Sequence, residues 1–204
     1  MKNRSAHLTC ICIAVALLSL AARPQTSKSF SFATYKERID RVTILVGSFP
    51  AALNAEEDYI PIPVAVGIRG KGPGMTLNSE SFNLIDSSGR AYPVASYEEI
   101  LAQTELHSRN ATVLASQPLV TGQQFANSRR ISTNFFPLAG LKYDHVNLER
   151  GNHFIDTLYF PRPPGGLGGV LTLRLQDPSL EEPIDVRFEV PLKGKRQAEK
   201  NARR

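Results

Sequence analysis

Two histidines and their neighbours are the strongest candidates for chemistry in this sequence. His145 and His153 lie in one polar segment, with carboxylates close by in Asp144 and Glu149. If the segment folds back, two imidazoles and a carboxylate could bind a metal ion such as zinc or copper. The spacing matches no compact metal motif. We therefore expect polar loop residues here. A periplasmic metal-dependent or hydrolytic enzyme that uses His145 and His153 is the alternative function.

Three further groups of residues suggest chemistry but lack the spacing that the chemistry needs. The acidic residues at 56–58 could bind calcium, yet they lack the alternating ligands of a calcium-binding loop. Residues 87–89 do not form the G-x-S-x-G elbow of a hydrolase. Residues 70–74 lack the spacing of a phosphate-binding loop. We predict no catalytic residue, no metal ligand, no cofactor and no enzymatic activity. The sequence leaves the binding residues undefined.

The stretch Ser81–Val94 predicts a β-hairpin around which the other strands pack. Apolar residues alternate on both sides of residues 86–89, which have the composition of a tight turn. An aspartate that opens a turn accepts hydrogen bonds from N–H groups two or three residues further on. Glycine adopts the positive φ that many turns need. A structural role in the turn therefore accounts for the presence of Asp86 and Gly89, without any role in function.

Apolar alternation predicts further strands on both sides of the hairpin. In Tyr59–Ile68, isoleucines and valines occupy every second position, but Pro61 and Pro63 lack N–H groups on one side. The first half of this strand is therefore expected at a sheet edge or beyond it. The other predicted strands are Val42–Val46 as the first of the chain, Met75–Leu77, Thr112–Ala115, Arg129–Phe136, Phe154–Phe160, Val170–Leu175 and Ile184–Leu192.

One helix is predicted within this β pattern. Ser96 and Glu99 have the spacing of a capping box, in which each side chain bonds the backbone N–H of the other residue. The helix is expected to run from Tyr97 to about His107 and to lie against the strands or cover one end of them. Residues 48–58 and 137–152 are predicted as loops.

The strands, the frequent turns and the helix indicate a mainly β fold, an antiparallel immunoglobulin-like β-sandwich with one short helix. The hairpin motif F-x-L-x-D-x-x-G-x-x-Y, from Phe82 to Tyr92, resembles that of uncharacterised immunoglobulin-like domains in exported bacterial proteins. The resemblance covers residues 42–192 and implies this fold and a bacterial source. It brings no catalytic residues. Such domains often follow a lipoprotein signal, whose cysteine motif this chain lacks.

The two ends of the chain differ in composition from its body. Residues 1–22 join a basic start to an apolar run, which predicts a signal peptide and a periplasmic or secreted protein. Both cysteines, Cys10 and Cys12, lie in this run, so cleavage would leave a mature chain without disulfides. Residues 23–41 are predicted as a linker or N-terminal arm, 42–192 as the domain and 193–204 as a basic disordered tail.

The two ends account for all of the formal net charge of +5. Residues 23–192 hold 16 basic and 18 acidic residues, so the body is not typical of a nucleic-acid-binding domain. The basic tail could contact anionic surfaces. We expect a non-enzymatic module that binds a protein or a cell-envelope component, with Pro61–Pro63 and Pro161–Gly169 as contact surfaces. No transmembrane segment is expected after cleavage of the signal.

Overall fold

A computed structural model describes residues 26–29, 33–37, 42–69, 74–103, 125, 127–137 and 141–192. Within these ranges the chain is mainly β, with two short α-helices. The strands are β1 (Thr26–Ser29), β2 (Ala33–Glu37), β3 (Val42–Gly47), β4 (Tyr59–Ile68), β5 (Met75–Leu77), β6 (Phe82–Ile85), β7 (Ala91–Pro93), β8 (Arg129–Arg130), β9 (Val146–Leu148), β10 (Asn152–Pro161), β11 (Val170–Leu175) and β12 (Ile184–Glu189). The helices are α1 (Phe49–Leu53) and α2 (Tyr97–Leu101), and a 3-10 turn spans Ser79–Ser81.

The strands form three sheets with mostly antiparallel neighbours. The largest sheet has the order β1-β2-β3-β4-β10-β8, the second β12-β11-β6-β7, and the third pairs β5 with β9. The short β8 is parallel to β10. Strand β12 also lies close to β2 and β3, and β7 lies close to β10. The two larger sheets therefore pack together, an arrangement consistent with a β-sandwich.

Apolar side chains of the two larger sheets share one core. In β11 and β12, buried residues alternate with more exposed ones, which is typical of a sheet with one face in water. In β4 and β10, nearly every residue is buried on both faces. These two long strands are therefore the centre of the molecule.

The pairing of β4 explains how two prolines are tolerated in a central strand. Strand β10 pairs with Tyr59–Gly67, whereas β3 pairs only with Val64–Ile68. Pro61 and Pro63 lie in the half that has a single neighbouring strand, as predicted. Both prolines are nevertheless buried, and α1 packs beside β4. The prediction that Pro61–Pro63 form an exposed contact surface is wrong.

Short elements occur where loops were predicted. Helix α1 lies within residues 48–58 and has Pro50 in its first turn, where a missing N–H costs no helical hydrogen bond. Strand β9 lies within residues 137–152 and pairs with β5. The described residues thus form two short helices where one was predicted. Elements of three to five residues are too short to show a hydrophobic period.

Two predicted elements are shorter in the structure. Helix α2 ends at Leu101 rather than near His107. Only Arg129–Arg130 of the predicted strand Arg129–Phe136 pairs with β10. The N–H groups of Phe135 and Phe136 donate instead to the carboxylate of Asp156, so they are not available for a strand ladder.

The N-terminal part of the fold also differs from the prediction. Strand β3 is the third strand rather than the first, because β1 and β2 precede it within residues 23–41. The predicted signal peptide at 1–22, the strand Thr112–Ala115 and the tail at 193–204 lie outside the described residues. None of the helices in the described ranges is long and apolar enough to cross a membrane.

The central hairpin forms as predicted from β6 and β7. The carboxylate of Asp86 accepts hydrogen bonds from the N–H groups of Ser88 and Arg90, at 2.8 and 3.0 Å, and from the Tyr92 hydroxyl at 2.7 Å. The Ser88 hydroxyl and then Tyr92 contribute most to lowering the pKa of Asp86 to about 2. Gly89 has a φ of +87°, which a residue with a Cβ rarely adopts.

Candidate functional site

The structure places the two predicted histidines in different surroundings. His145 is exposed in the loop before β9. His153 is buried in β10, where its ring stacks on Phe125 with centroids 4.9 Å apart. Within the described part of the chain, no three His, Cys, Asp or Glu side chains lie close enough together to hold a metal ion. The cluster that the alternative function needs is therefore not formed by these residues.

His153 is held as a neutral ring. Ser128 Oγ donates to the backbone oxygen of Phe125 at 3.0 Å, so it accepts from Nδ1–H of His153 at 2.7 Å. The Nε2 atom is buried and has no hydrogen-bond partner among the described residues. Burial, and secondly the charge of Arg130, lower the pKa of His153. The ring therefore packs inside the fold and does not face solvent as an acid or base.

Asp156, in the middle of β10, is a buried carboxyl group with only 4% of its surface exposed. Its Oδ2 accepts from the N–H of Phe135 at 2.6 Å and of Phe136 at 3.3 Å. Its Oδ1 accepts from the N–H of Thr157 at 2.8 Å. Burial raises the pKa of Asp156 to about 7 even though these bonds lower it. Through its hydrogen bonds, the carboxyl group holds the backbone of Phe135 and Phe136 against β10.

Above Phe135 and Phe136 lies a groove of about 320 Å³, which we call the aromatic groove. The first turn of α2 lines one side, and residues 142–144 line the other. Its aromatic residues are Tyr97, Phe135, Phe136 and Tyr143, and its charged residues are Glu80, Glu98, Lys142 and Asp144. The groove thus combines an apolar floor with a charged rim.

The floor of the aromatic groove is attached to the core by ring contacts. Phe135 packs on Phe154 with centroids 5.1 Å apart, and Phe136 packs on Tyr159 at 5.2 Å. The ring of Tyr97 lies 6.4 Å from that of Phe136. Because aromatic pairs of this kind contribute to stability beyond their buried area, the floor is preorganised.

The capping box positions the α2 side of the groove. Ser96 Oγ accepts from the N–H of Glu99 at 3.2 Å, and Glu99 Oε2 accepts from the N–H of Ser96 at 2.7 Å. This is the pair that the sequence predicts. It fixes the start of α2, and with it the backbone of Tyr97.

Lys142 connects the two sides of the aromatic groove. Its Nζ lies 3.7 Å from Glu98 Oε1, 3.4 Å from Asp144 Oδ1 and 5.7 Å from the centre of the Tyr97 ring. The residues on either side of it are exposed apolar ones: Leu141 is 75% exposed and Tyr143 is 39% exposed. Exposed apolar residues that cluster beside a groove are typical of an interaction surface.

A second, larger groove of about 780 Å³ shares Asn78 and Glu80 with the aromatic groove. It lies between β5 and the turn that joins β11 to β12, and its lining includes the polar residues Thr76, Gln176 and Asp177. None of the described residues that line it is aromatic. Since binding pockets are mostly apolar with a few polar groups, the aromatic groove is the better candidate site.

The aromatic groove was not predicted, because residues 137–152 have the composition of a polar connection. The signal that could have found it is Leu141-Lys142-Tyr143, which places two large apolar side chains in a loop. The predicted contact loop Pro161–Gly169 is partly exposed, with Pro163 and Leu167 buried beneath it. Its role as a contact surface stays a prediction.

Comparisons with known proteins give little guidance. No family model and no curated protein matches the chain. Among solved structures, a candidate lipoprotein named YcdA from Bacillus subtilis is similar, with 11% sequence identity and a TM-score of 0.36. The match covers 87% of this chain and 42% of that one, so this chain spans less than half the length of YcdA. Similarity at this level establishes neither a shared fold nor a shared function.

Proposed function

We propose that this chain is an exported, non-enzymatic module of the bacterial envelope that binds a protein partner in the aromatic groove. The observation that carries the proposal is Tyr143, which is 39% exposed and lines the groove together with the buried rings of Phe135 and Phe136. The exposed Leu141 lies two residues before it in the chain. Aromatic side chains are enriched in protein interfaces. Loops on a rigid β scaffold commonly carry binding.

We further propose that the two larger sheets form an immunoglobulin-like sandwich. In that fold, strands A-B-E-D form one sheet and G-F-C, often with C′, form the other. The orders β3-β4-β10-β8 and β12-β11-β6-β7 follow the same connectivity. Strand β8 departs from the immunoglobulin pattern, because it is parallel to its neighbour β10. It pairs with β10 over only two residues. An experimental structure in which β10 does not pair with β4 would contradict this assignment.

Support for export comes from the sequence alone. Residues 1–22 have the basic start and apolar run of a secretory signal. Mass spectrometry of the protein purified from its native host tests this part of the proposal. A mature N-terminus near residue 23 in the periplasmic or secreted fraction is expected, and an intact Met1 on a cytoplasmic protein would contradict it.

The surroundings of His145 and His153, the two residues that the alternative enzymatic function would use, support a non-enzymatic role. His153 is packed under Phe125 and held by Ser128, so a substrate cannot reach it without displacing the core. His145 is exposed and lies outside the lining of the aromatic groove. Neither arrangement favours joint catalysis by the pair.

Crosslinked purification from native envelope tests the binding role. The full mature chain is compared with a Leu141→Ser/Tyr143→Ala variant, which removes the two exposed apolar side chains on either side of Lys142. Leu53→Ser is the control, because Leu53 is also exposed and neither it nor its neighbours in the chain line the groove. We expect a reproducible partner that the double variant loses and the control keeps. A partner retained equally by all three chains would overturn the assignment to this groove.

A further inference from the structure

Building on the proposed function, we propose that the aromatic groove takes a lysine or arginine side chain from the partner polypeptide, at the place that Lys142 occupies in the free protein. The charges around the groove favour a cation. Among the described residues of the lining, Glu80, Glu98 and Asp144 are acidic and Lys142 alone is basic. The lining therefore has a net negative charge even with Lys142 in place, which attracts a basic segment.

The contacts of Lys142 show what the groove stabilises. Its ammonium group lies within 4 Å of two carboxylates and over the Tyr97 ring at 5.7 Å. An anionic pair beside an aromatic face is the combination that binds ammonium and guanidinium groups. Lys142 thus acts as an internal stand-in for the side chain of a partner.

The hold on Lys142 is weak enough for exchange. Both ion pairs are long, at 3.4 and 3.7 Å, and their carboxylates are exposed. Exposed ion pairs of this kind contribute little to stability, because water and salt screen them. A partner's cation can therefore replace the ammonium of Lys142, and apolar residues next to that cation gain contact with Leu141.

The size of the groove limits the occupant. A volume of about 320 Å³ lies at the lower end of ligand-binding pockets, which span roughly 300–1,000 Å³. One long side chain fits such a space, whereas a folded element does not. The occupant is therefore an extended basic and apolar segment with a single side chain inserted.

Fluorescence anisotropy with the full mature protein tests this inference. The probes are two labelled peptides of equal length, one alternating leucine with lysine and the other alternating leucine with glutamate. Three variants are compared with the wild type: Lys142→Met, Glu98→Gln/Asp144→Asn, and Glu181→Gln/Glu182→Gln. The last removes the same charge from exposed carboxylates that do not line the aromatic groove.

We expect binding of the lysine peptide only. Lys142→Met removes the competing ammonium and should tighten binding by about 3–10-fold, whereas Glu98→Gln/Asp144→Asn should weaken it by at least about fivefold. The Glu181→Gln/Glu182→Gln control should change it by less than about twofold. Equal losses in both carboxylate variants, no tightening in Lys142→Met, or no binding of the lysine peptide would overturn the inference. In each of these cases the proposed function stands if the native partner still requires Leu141 and Tyr143.

Discussion

At the scale of the residue, Asp156 carries the most distinctive chemistry of the described chain. Its carboxyl group is buried, and its pKa is raised from 3.8 to about 7. Between those values the folded chain keeps a proton that the unfolded chain has released. Stability contributed by the neutral group is thus complete below pH 4 and is lost as the pH rises towards 7.

The variant Asp156→Asn tests this directly, because an amide does not titrate in this range. We expect the free energy of unfolding of the wild type, minus that of the variant, to fall by roughly 3 kcal/mol between pH 4 and pH 7. Urea unfolding of both proteins at one-unit pH steps measures this difference. Groups that titrate alike in the two proteins, including Asp86, cancel in the subtraction. A flat difference would mean that folding leaves the pKa of Asp156 unchanged, and a difference that grows with pH would mean that folding lowers this pKa. Either result would contradict the prediction.

Asp86 and Asp156 show how far single residues can be predicted from sequence. The turn role of Asp86 was predictable because its backbone partners, Ser88 and Arg90, lie within four residues. Asp156 could be recognised only as a polar residue that interrupts a strand. Its partners Phe135 and Phe136 are separated from it by about twenty residues of chain, and no local pattern encodes such a contact.

At the scale of the element, α2 owes its start to its cap rather than to its length. A helix of five residues is not stable alone, so the capping box and the buried Ile100 must hold it. Ser96→Ala removes the acceptor for the N–H of Glu99. We expect a loss of about 1 kcal/mol, equal to a fall of roughly 2–4 °C in Tm.

Differential scanning calorimetry measures this effect, with Ser87→Ala as the matched control. Ser87 is exposed in the hairpin turn and caps no helix. If the two variants unfold at the same temperature, the cap does not stabilise α2. The variant Ser96→Ala should also weaken partner binding, because Tyr97 follows it directly in the aromatic groove.

Long strands with regular alternation are the elements that the sequence predicts best. The strands β4, β11 and β12 were predicted because alternation over six or more residues is a strong signal. The alternation of Ile131, Thr133 and Phe135 predicts a strand after β8. The backbone N–H groups of Phe135 and Phe136 donate instead to the carboxylate of Asp156, so they form no ladder. Competition of this kind depends on tertiary contacts, which periodicity does not contain.

At the scale of the whole molecule, residues 23–41 show the limit of composition as a guide. Their polar, serine-rich character predicts an arm, but β2 pairs with β3 from Ala33↔Gly47 to Glu37↔Thr43 and also lies beside β12.

A truncated chain tests whether these residues are part of the fold. If they are, a chain that begins at residue 42 should be less stable than one that begins at residue 23. We expect a loss of more than about 2 kcal/mol, or roughly 4–8 °C in Tm. Its β3 would also become an edge strand, which favours association between chains. Thermal unfolding and light scattering of the two chains measure both effects, and a chain that ends at residue 192 is the control for removing a polar terminus. Equal Tm values for all three chains would mean that β1 and β2 form an arm that the domain does not need, and the sequence-based boundary at residue 42 would then be correct.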